Sequence, residues 1–306
     1  MGAQPNARPA LLARLMRLYL RSRLRGGTRL TYALARRVES LQRVPVEIPG
    51  WSPVYVDLRL AGAHPILTES PYAGLWRELD EVSVMRRFVR EGWVAYDIGA
   101  NIGLHSILLS HLVGERGLLH AFEPNEELLP ALRRTIGGLG NATLHAVALS
   151  DKEAKSTLYV PPDNSVASLK DWTVDSPVYK EDGGAHPVAC EERPLDKLIE
   201  EEKLPRPDFV KCDVEGAEIL VFEGARQTFD RPEAPVILFE ANECASKAFG
   251  VGVSAAKDLL AGLERPRYSF FEVERGGGLT PLREIGKSFL NILAVPLSKA
   301  DLLGAA

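Results

Sequence analysis

The chain has 306 residues, of which 45% are hydrophobic, and a formal net charge of −4. This length and composition predict one large globular domain with a smaller appended segment, and they argue against disorder over most of the chain. The three cysteines are too widely separated for a zinc knuckle or a redox dithiol, so we expect reduced thiols. No apolar run reaches the ~18 residues that span a bilayer, and arginines interrupt the apolar N-terminus. The sequence therefore predicts a cytoplasmic protein.

Residues 1–45, the N-terminal arm, are strongly basic. They contain ten arginines and one acid, a net charge of +9, which leaves −13 for the rest of the chain. Gly26 and Gly27 are expected to separate two helical stretches, the second around Leu30 to Leu41. The first is predicted to be apolar on one side and basic on the other. This prediction rests on residues at helical spacing: leucines at 11, 15 and 18 and arginines at 14, 17, 21 and 25.

Two interpretations of the arm stay open. Residues 8–43 either pack on the main domain with their arginines in solvent, or they make a peripheral membrane contact on anionic lipid or bind another acidic partner. The charge of −13 on the remainder argues against a groove for nucleic acid in the main domain.

Residues 46–92 are expected to form a lead-in to the main domain. Prolines and glycine between Pro45 and Pro53 predict a turn or linker. The alternating segment Val54 to Leu60 predicts a strand, and the segment from Trp76 to Arg90 predicts a helix.

Residues 93–300 show strands alternating with helical segments, interrupted by a long insertion at 152–207. This alternation predicts an α/β fold with a mainly parallel sheet and helices on both faces. The last two strands flank RGGGLTP, so we expect them to pair antiparallel through that turn. Seven strands are predicted: Val94–Ile98, Leu118–Phe122, Thr143–Leu149, Phe209–Asp213, Val236–Phe239, Ser269–Val273 and Asn291–Val295.

The loop after the first of these strands carries two glycines four residues apart. It reads DIGANIG from Asp97 to Gly103, and Asn101 stands where a dinucleotide-binding loop has its second glycine. Glycines at 99 and 103 allow a sharp turn and a close approach of a ligand to the backbone. A pyrophosphate gains from helix N-terminal amides but not from the carboxylate of Asp97. The loop therefore predicts a ligand with a cationic end, such as an amino acid with a sulfonium.

Polar side chains follow the next three strands, at the edge where open parallel sheets bind ligands. Glu123 follows the second strand, where a carboxylate can accept both hydroxyls of a ribose. Ser150 and Asp151 follow the third strand and are expected to reach the exocyclic amine of an adenine. The order of these groups along the sheet favours bound S-adenosylmethionine. Three acids follow the fourth strand: Asp213, Glu215 and Glu218.

These segments together resemble the FkbM family of S-adenosylmethionine-dependent methyltransferases. The resemblance covers roughly residues 78–296 and rests on DIGANIG, FEPN, VALSD, VKCDVEGAE and LFEANE. It implies a class I methyltransferase fold, a Rossmann-like sheet of seven strands with the last strand inserted antiparallel. It also implies O-methylation of hydroxyls on sugars or polyketide-like metabolites. The N-terminal arm lies outside the resemblance and inherits no role from it.

The resemblance also assigns the cofactor contacts. Four residues would form the loop at the methionine end: Asp97, Gly99, Asn101 and Gly103. Glu123 would hold the ribose, and Ser150 with Asp151 would contact the adenine.

Methyl transfer needs an acceptor oxygen aligned with the sulfonium and a group that takes or polarises its proton. Candidates near the sulfur are Asp213, Glu240 and His105. Asp213 and Glu240 are alternatively oxygen ligands for a Mg²⁺ that orients two sugar hydroxyls. Glu215 and Glu218 are expected to be structural, with Glu215 facing backbone amides at the next helix N-terminus. Asn242 and Glu243 are candidates for the acceptor pocket.

The favoured hypothesis is an S-adenosylmethionine-dependent O-methyltransferase. Its acceptor would be a hydroxyl of a sugar, of a glycolipid or polysaccharide precursor, or of a secondary metabolite. One alternative is a non-catalytic cofactor-binding or membrane-docked accessory protein. The other is an NAD-dependent dehydrogenase, which the absent second glycine disfavours.

Overall fold

The computed structural model describes residues 11–22, 27–60, 63–68, 80–162, 166–175 and 184–304. The helices of this part of the chain are α1 (Leu11–Arg21), α2 (Gly27–Ala35), α3 (Ala63–Thr68), α4 (Asp80–Phe88), α5 (Leu104–Val113), α6 (Leu129–Gly137), α7 (Leu195–Glu202), α8 (Glu218–Glu223), α9 (Arg226–Phe229), α10 (Glu243–Ala248) and α11 (Ala255–Ala261). Its strands are β1 (Val44–Val46), β2 (Val54–Val56), β3 (Val94–Ile98), β4 (Leu118–Phe122), β5 (Ala142–His145), β6 (Ala148–Leu149), β7 (Ala154–Val160), β8 (His186–Arg193), β9 (Phe209–Cys212), β10 (Val236–Asn242), β11 (Ser269–Val273), β12 (Leu279–Pro281) and β13 (Phe289–Val295).

The main sheet orders eight of the described strands as β12-β11-β13-β10-β9-β3-β4-β5. The five strands from β10 to β5 run parallel to one another. Strand β13 lies antiparallel between β10 and β11. The predicted α/β architecture with an antiparallel last strand is therefore confirmed. The last two predicted strands, β11 and β13, do pair antiparallel, but the glycine-rich turn joins β11 to the short β12, an eighth strand that was not predicted.

The predicted single strand Thr143–Leu149 is wrong, because the chain changes sheet within it. His145 pairs with Phe122, the last residue of β4, so the main sheet offers β5 no further neighbour beyond that point. Ala148 and Leu149 instead pair with β8, in a separate three-stranded sheet with the order β6-β8-β7. Strands β7 and β8 belong to the insertion at 152–207, so this second sheet fixes the insertion to the end of β5.

The two faces of the main sheet bury different halves of the core. In β3, Tyr96 and Ile98 point to one face and pack in a cluster with Leu198 of α7 and Phe222 of α8. Ala95 points to the other face and packs in a cluster with Leu108 of α5. This alternation is the period-2 pattern of a strand covered on both sides.

The N-terminal arm forms two helices, α1 and α2, that pack with the β1–β2 hairpin in a cluster of their own. Helix α2 begins at Gly27, while Arg25 and Gly26 lie outside the described residues. The predicted helix from Trp76 is observed over Asp80–Phe88, and Trp76 also lies outside the described part. None of the described helices is both long enough and apolar enough to cross a membrane.

Gly224 and Gly262 form a matched pair that tests the junction between the two sheets. Both follow a helix, α8 or α11, with right-handed backbone angles. A Cβ on Gly224 would lie 1.9 Å from the carbonyl oxygen of Ser150, whereas a Cβ on Gly262 would meet atoms at 3.5 Å. We expect Gly224→Ala to lower the free energy of unfolding by about 1–3 kcal/mol, a cost typical of overpacking. Gly262→Ala should change it by less than about 0.5 kcal/mol. Urea unfolding measures both, and equal stability of the two variants would contradict the packing.

Candidate active site

The glycine loop after β3 is held by contacts with three strand ends. Gly99 and Gly103 adopt φ angles of 78° and 87°, and Asn101 also lies in the left-handed region at 52°. A Cβ on Gly99 would lie 1.9 Å from the carbonyl oxygen of Asp213, so only glycine fits there. Asparagine tolerates the left-handed conformation better than most residues. The residue types of DIGANIG therefore follow from the backbone path of the loop.

Glu123 joins the end of β4 to this loop. Its Oε2 accepts a hydrogen bond from the Asn101 amide at 2.8 Å, and its Oε1 accepts one from the Asn125 amide at 2.9 Å. Burial raises the pKa of Glu123 although these two amides favour the ionised form. The carboxylate lies on the wall of the cavity described below, and its remaining lone pairs can accept hydrogen bonds from a ligand.

Lys211 carries a buried positive charge between the ends of β3 and β9. Its Nζ lies 3.1 Å from Oδ2 of Asp213 and 3.7 Å from Oδ1 of Asp97, and it donates to the carbonyl oxygen of Gly99 at 3.2 Å. Burial opposes the charged ammonium, but the two carboxylates raise the pKa of Lys211 above its ordinary value. Asp97 is completely buried, accepts from Ser106 Oγ at 2.6 Å, and has its pKa raised by burial.

A cavity of about 320 Å³ opens at these strand ends. Its floor is the glycine loop with Glu123 and Lys211. The lead-in and the insertion both supply parts of its wall. The lead-in contributes Asp57, Leu60, Ala63 and Ile66, and the insertion contributes Leu158, Ala167, Ser168 and Leu169. The insertion is also fixed to the sheet here, because Ser168 Oγ donates to the carbonyl oxygen of Glu215 at 2.7 Å.

Two of the three candidate proton acceptors, His105 and Asp213, line this cavity. Burial and the charge of Lys211 lower the pKa of His105 to about 3, so its imidazole is neutral at physiological pH. Glu240 is not among the wall residues of the described cavity. Burial and the charge of Asp213 raise the pKa of Glu240 to about 8, so this carboxyl keeps its proton near neutral pH.

Asp213, Glu215 and Glu240 form a carboxylate cluster beside the cavity. One carboxylate oxygen of each lies within 4.8 Å of the others. Burial, Glu240 and Asp213 together raise the pKa of Glu215 to about 10. Three carboxylate oxygens at this spacing suit a hard cation such as Mg²⁺, which favours oxygen ligands. The cluster thus brings together the two predicted magnesium ligands and adds Glu215.

Glu215 and Glu218 were both expected to be structural, but only Glu218 has the expected contact with a backbone amide. Glu218 Oε1, not Glu215, accepts from a backbone amide, that of Val214, at 3.0 Å. Burial raises the pKa of Glu218 to about 7. Glu215 has a φ of 53° and lines the cavity. The expectation that Glu215 faces these amides is wrong. The backbone turns into the left-handed region at Glu215, and the carboxylate that accepts the hydrogen bond from the Val214 amide is that of Glu218.

Several predicted contacts lie away from the cavity wall. Ser150 is completely buried and donates to Glu192 at 2.5 Å, and Asp151 is exposed. Leu149 and Ala148, just before them, do line the cavity. Asp97 lies beneath the loop rather than on the wall. Direct ligand contacts by Asp97, Ser150 and Asp151 stay predictions.

The acceptor-pocket candidates after β10 have structural partners. The Asn242 side chain accepts from the Ala245 amide at 3.3 Å and so caps α10. The Glu243 carboxylate pairs with Lys247 at 2.7 Å.

Three residues of the site escaped the sequence interpretation: Lys211, Asp57 and Ser168. A signal existed for Lys211, because a lysine inside the buried strand FVKC requires a charged partner. Asp57 is buried and bound by the Arg59 guanidinium, which lies 2.6 Å from its Oδ2. Ser168 lies in a polar insertion, where one serine has no distinguishing context.

The family of this chain follows from its similarity to a known protein domain. A family model described as the methyltransferase FkbM domain matches residues 97–270, more than half of the chain. The chain belongs to the FkbM methyltransferase family. The match begins at Asp97 of the glycine loop and ends in β11, so it includes Glu123, Lys211 and the carboxylate cluster. The cofactor of an FkbM methyltransferase domain is S-adenosylmethionine.

Two curated relatives are named as methyltransferases, one for 2-O-methyl transfer and one for a hexuronic acid. The 2-O-methyltransferase NoeI of Sinorhizobium fredii is 27% identical over 150 residues, which are 45% of this chain and 59% of that protein. The hexuronic acid methyltransferase AglP of Haloferax volcanii is 27% identical over 157 residues, 49% of this chain and 59% of that protein. The matched part of this chain thus spans less than two thirds of the length of either relative.

Among solved structures, an O-methyltransferase from Bacillus cereus in complex with SAH is similar to this chain. The two share 14% identity and a TM-score of 0.42, over 74% of this chain and 82% of that one.

Replacing Lys211 tests whether it neutralises Asp97. We expect Lys211→Met to lower the free energy of unfolding by about 3–5 kcal/mol, because it leaves a buried carboxylate without its partner. Adding Asp97→Asn to that variant should recover part of the loss, since the unpaired charge is then gone. Urea unfolding of the single and double variants gives the coupling between the two sites. Simple additivity of the two losses would contradict the pairing.

The carboxylate cluster predicts a pH-dependent loss of stability. Glu240 keeps its proton in the folded state up to about pH 8, whereas in the unfolded chain it loses the proton near its ordinary pKa of 4.5. Between about pH 5 and pH 8 the folded state therefore binds more protons, and the free energy of unfolding falls as pH rises. Urea unfolding with EDTA should show a smaller fall for Glu240→Gln than for the wild type.

Glu243→Gln, which changes a half-exposed acid close to the cluster in sequence, is the control and should follow the wild type. Equal pH dependence of the wild type and Glu240→Gln would contradict the assignment. Magnesium chloride in place of EDTA tests the cation in the same experiment. A bound Mg²⁺ should remove the difference in pH dependence of the free energy of unfolding between the wild type and Glu240→Gln. If that difference is unchanged, the result argues against a bound cation.

Proposed function

We propose that this protein transfers a methyl group from S-adenosylmethionine to a hydroxyl of a sugar or of a glycolipid or polysaccharide precursor. The observation that carries the proposal is the cavity at the carboxyl ends of β3, β4 and β9, lined by the glycine loop and Glu123 within an FkbM methyltransferase domain. The carboxyl ends of parallel strands are where open α/β sheets bind ligands.

The cofactor is proposed to lie along the floor of the cavity. Glu123 would accept the ribose hydroxyls with the lone pairs that the Asn101 and Asn125 amides leave free. The amino-acid end would lie over the glycine loop, of which Gly99, Ala100 and Asn101 line the cavity. The adenine would lie towards Ala148 and Leu149, which offer an apolar wall.

Chemistry at the sulfonium is proposed to depend mainly on alignment in a water-poor pocket. Bound S-adenosylmethionine would supply an electrophilic methyl group, and the residues of the cavity would orient the acceptor hydroxyl towards it. His105 is the proposed group that accepts a hydrogen bond from the acceptor hydroxyl, because its ring is neutral and on the cavity wall. His105 would take up the proton that the acceptor hydroxyl releases, and Asp213, which also holds Lys211, would favour the protonated ring.

The proposed acceptor class rests on the relatives and on the cavity wall. The two curated relatives are named for 2-O-methyl transfer and for methylation of a hexuronic acid. The buried carboxylate of Asp57 and the hydroxyl of Ser168 also line this cavity and give it polar groups that can accept hydrogen bonds from a sugar. A secondary metabolite with a free hydroxyl is the remaining candidate. A cytoplasmic location belongs to the same proposal.

Cofactor binding gives a direct test. Calorimetric titration of the wild type should show binding of S-adenosylhomocysteine and no comparable binding of NAD. Glu123→Gln should weaken the S-adenosylhomocysteine affinity by about tenfold or more, since hydrogen bonds to a charged group contribute about 1.5–3 kcal/mol. Glu126→Gln is the matched control, because Glu126 lies on the same segment but is exposed. Tight NAD binding without S-adenosylhomocysteine binding would overturn the proposal.

A further inference from the structure

Helix α1 exposes a stripe of leucines on the side that faces away from the domain. Leu11, Leu15 and Leu18 are 73%, 49% and 65% exposed. At 3.6 residues per turn they fall within a sector of about 60°. The sequence pattern predicts that an apolar side of this helix faces the domain, but the residues buried there are Ala13 and Met16. The leucines are thus an unburied apolar surface.

Positive charge flanks this leucine stripe. Arg14 and Arg21 are exposed and lie within about 20° of each other on one side of the stripe. Neither has an ion pair with a described acidic residue. The whole arm carries +9 against −13 on the rest of the chain. A partner that covers α1 must therefore accept leucines in an apolar layer and neutralise arginines beside them.

We propose that α1 lies in the surface of an anionic lipid bilayer, with the leucine stripe in the acyl layer and the arginines at the phosphates. Apolar and basic faces side by side on one helix are the requirements for interfacial binding. Negative lipid headgroups attract clustered arginines within a Debye length of the surface. A groove on another protein would need acids placed opposite each arginine, whereas a lipid surface supplies anions along the whole helix.

The position of α1 links the membrane to the cavity. Helix α1 packs on α3, and Ala63 and Ile66 of α3 line the cavity wall. A bilayer under α1 would therefore lie on the far side of α1 and α3 from this part of the cavity wall, and a glycan on a lipid carrier would have to extend past these two helices. This last step rests on the proposed function, but the docking of α1 does not.

Vesicle co-sedimentation of the full chain tests the docking. The wild type should pellet with vesicles of equal parts phosphatidylglycerol and phosphatidylcholine, and much less with phosphatidylcholine alone. The triple variant Leu11→Gln, Leu15→Gln, Leu18→Gln should lower the partition coefficient about tenfold or more, because interfacial binding scales with buried apolar area. The matched control changes three exposed apolar residues elsewhere, Val174→Gln, Phe289→Gln and Leu297→Gln, and should bind like the wild type.

Three results would overturn the docking. They are a wild type that does not pellet with anionic vesicles, equal binding by the two triple variants, and a leucine variant that changes only the oligomeric state in sedimentation velocity. The last result would assign the stripe to a second copy of the chain.

Titration with S-adenosylhomocysteine separates the two proposals. Equal affinity in all three proteins shows that the variants fold. If the leucine variant alone loses this affinity, Arg14→Gln with Arg21→Gln decides instead, and it should weaken binding to the anionic vesicles only. Absence of S-adenosylhomocysteine binding in every protein would overturn the proposed function and leave the docking unaffected.

Discussion

A lysine buried between two carboxylates is the constraint on which the candidate active site depends. Burying the charge of Lys211 is costly unless partners lie close, and Asp97 and Asp213 supply them from the ends of two neighbouring strands. The third contact, with the carbonyl oxygen of Gly99, fixes the glycine loop to the same charge. Burial and this positive charge together lower the pKa of His105 and keep its ring neutral. The ammonium thus contributes both to the loop position and to the protonation state of the neighbouring imidazole.

The sequence predicts those parts of the molecule that depend on local pattern. Strands β3 and β4 begin and end at the predicted residues, because alternation and turn residues mark them within a few positions. The glycine loop and Glu123 were predictable for the same reason. The change of sheet after His145 was not, since it depends on where a distant strand ends. The positions of Ser150 and Lys211 also depend on partners more than 40 residues away, at Glu192 and Asp97.

The two sides of the cavity come from different parts of the chain. The cofactor side belongs to the segment that matches the FkbM family, from Asp97 onwards. Part of the remaining wall comes from Asp57, Ala63 and Ile66, which precede that segment, and another part comes from the insertion, which lies within it. In the proposed function, acceptor recognition would rest partly on the lead-in, which lies outside the family match. The basic N-terminal arm directly precedes the lead-in along the chain.

The short strand β12 also has a consequence for the behaviour of the folded chain in solution. It forms one edge of the main sheet, and such edges invite strands from other molecules to add on. Strand β12 is three residues long and ends at Pro281, which has no amide hydrogen to donate. This edge of the sheet therefore offers only a short row of backbone donors and acceptors to another strand. The glycine-rich hairpin thereby protects the sheet against edge-to-edge aggregation.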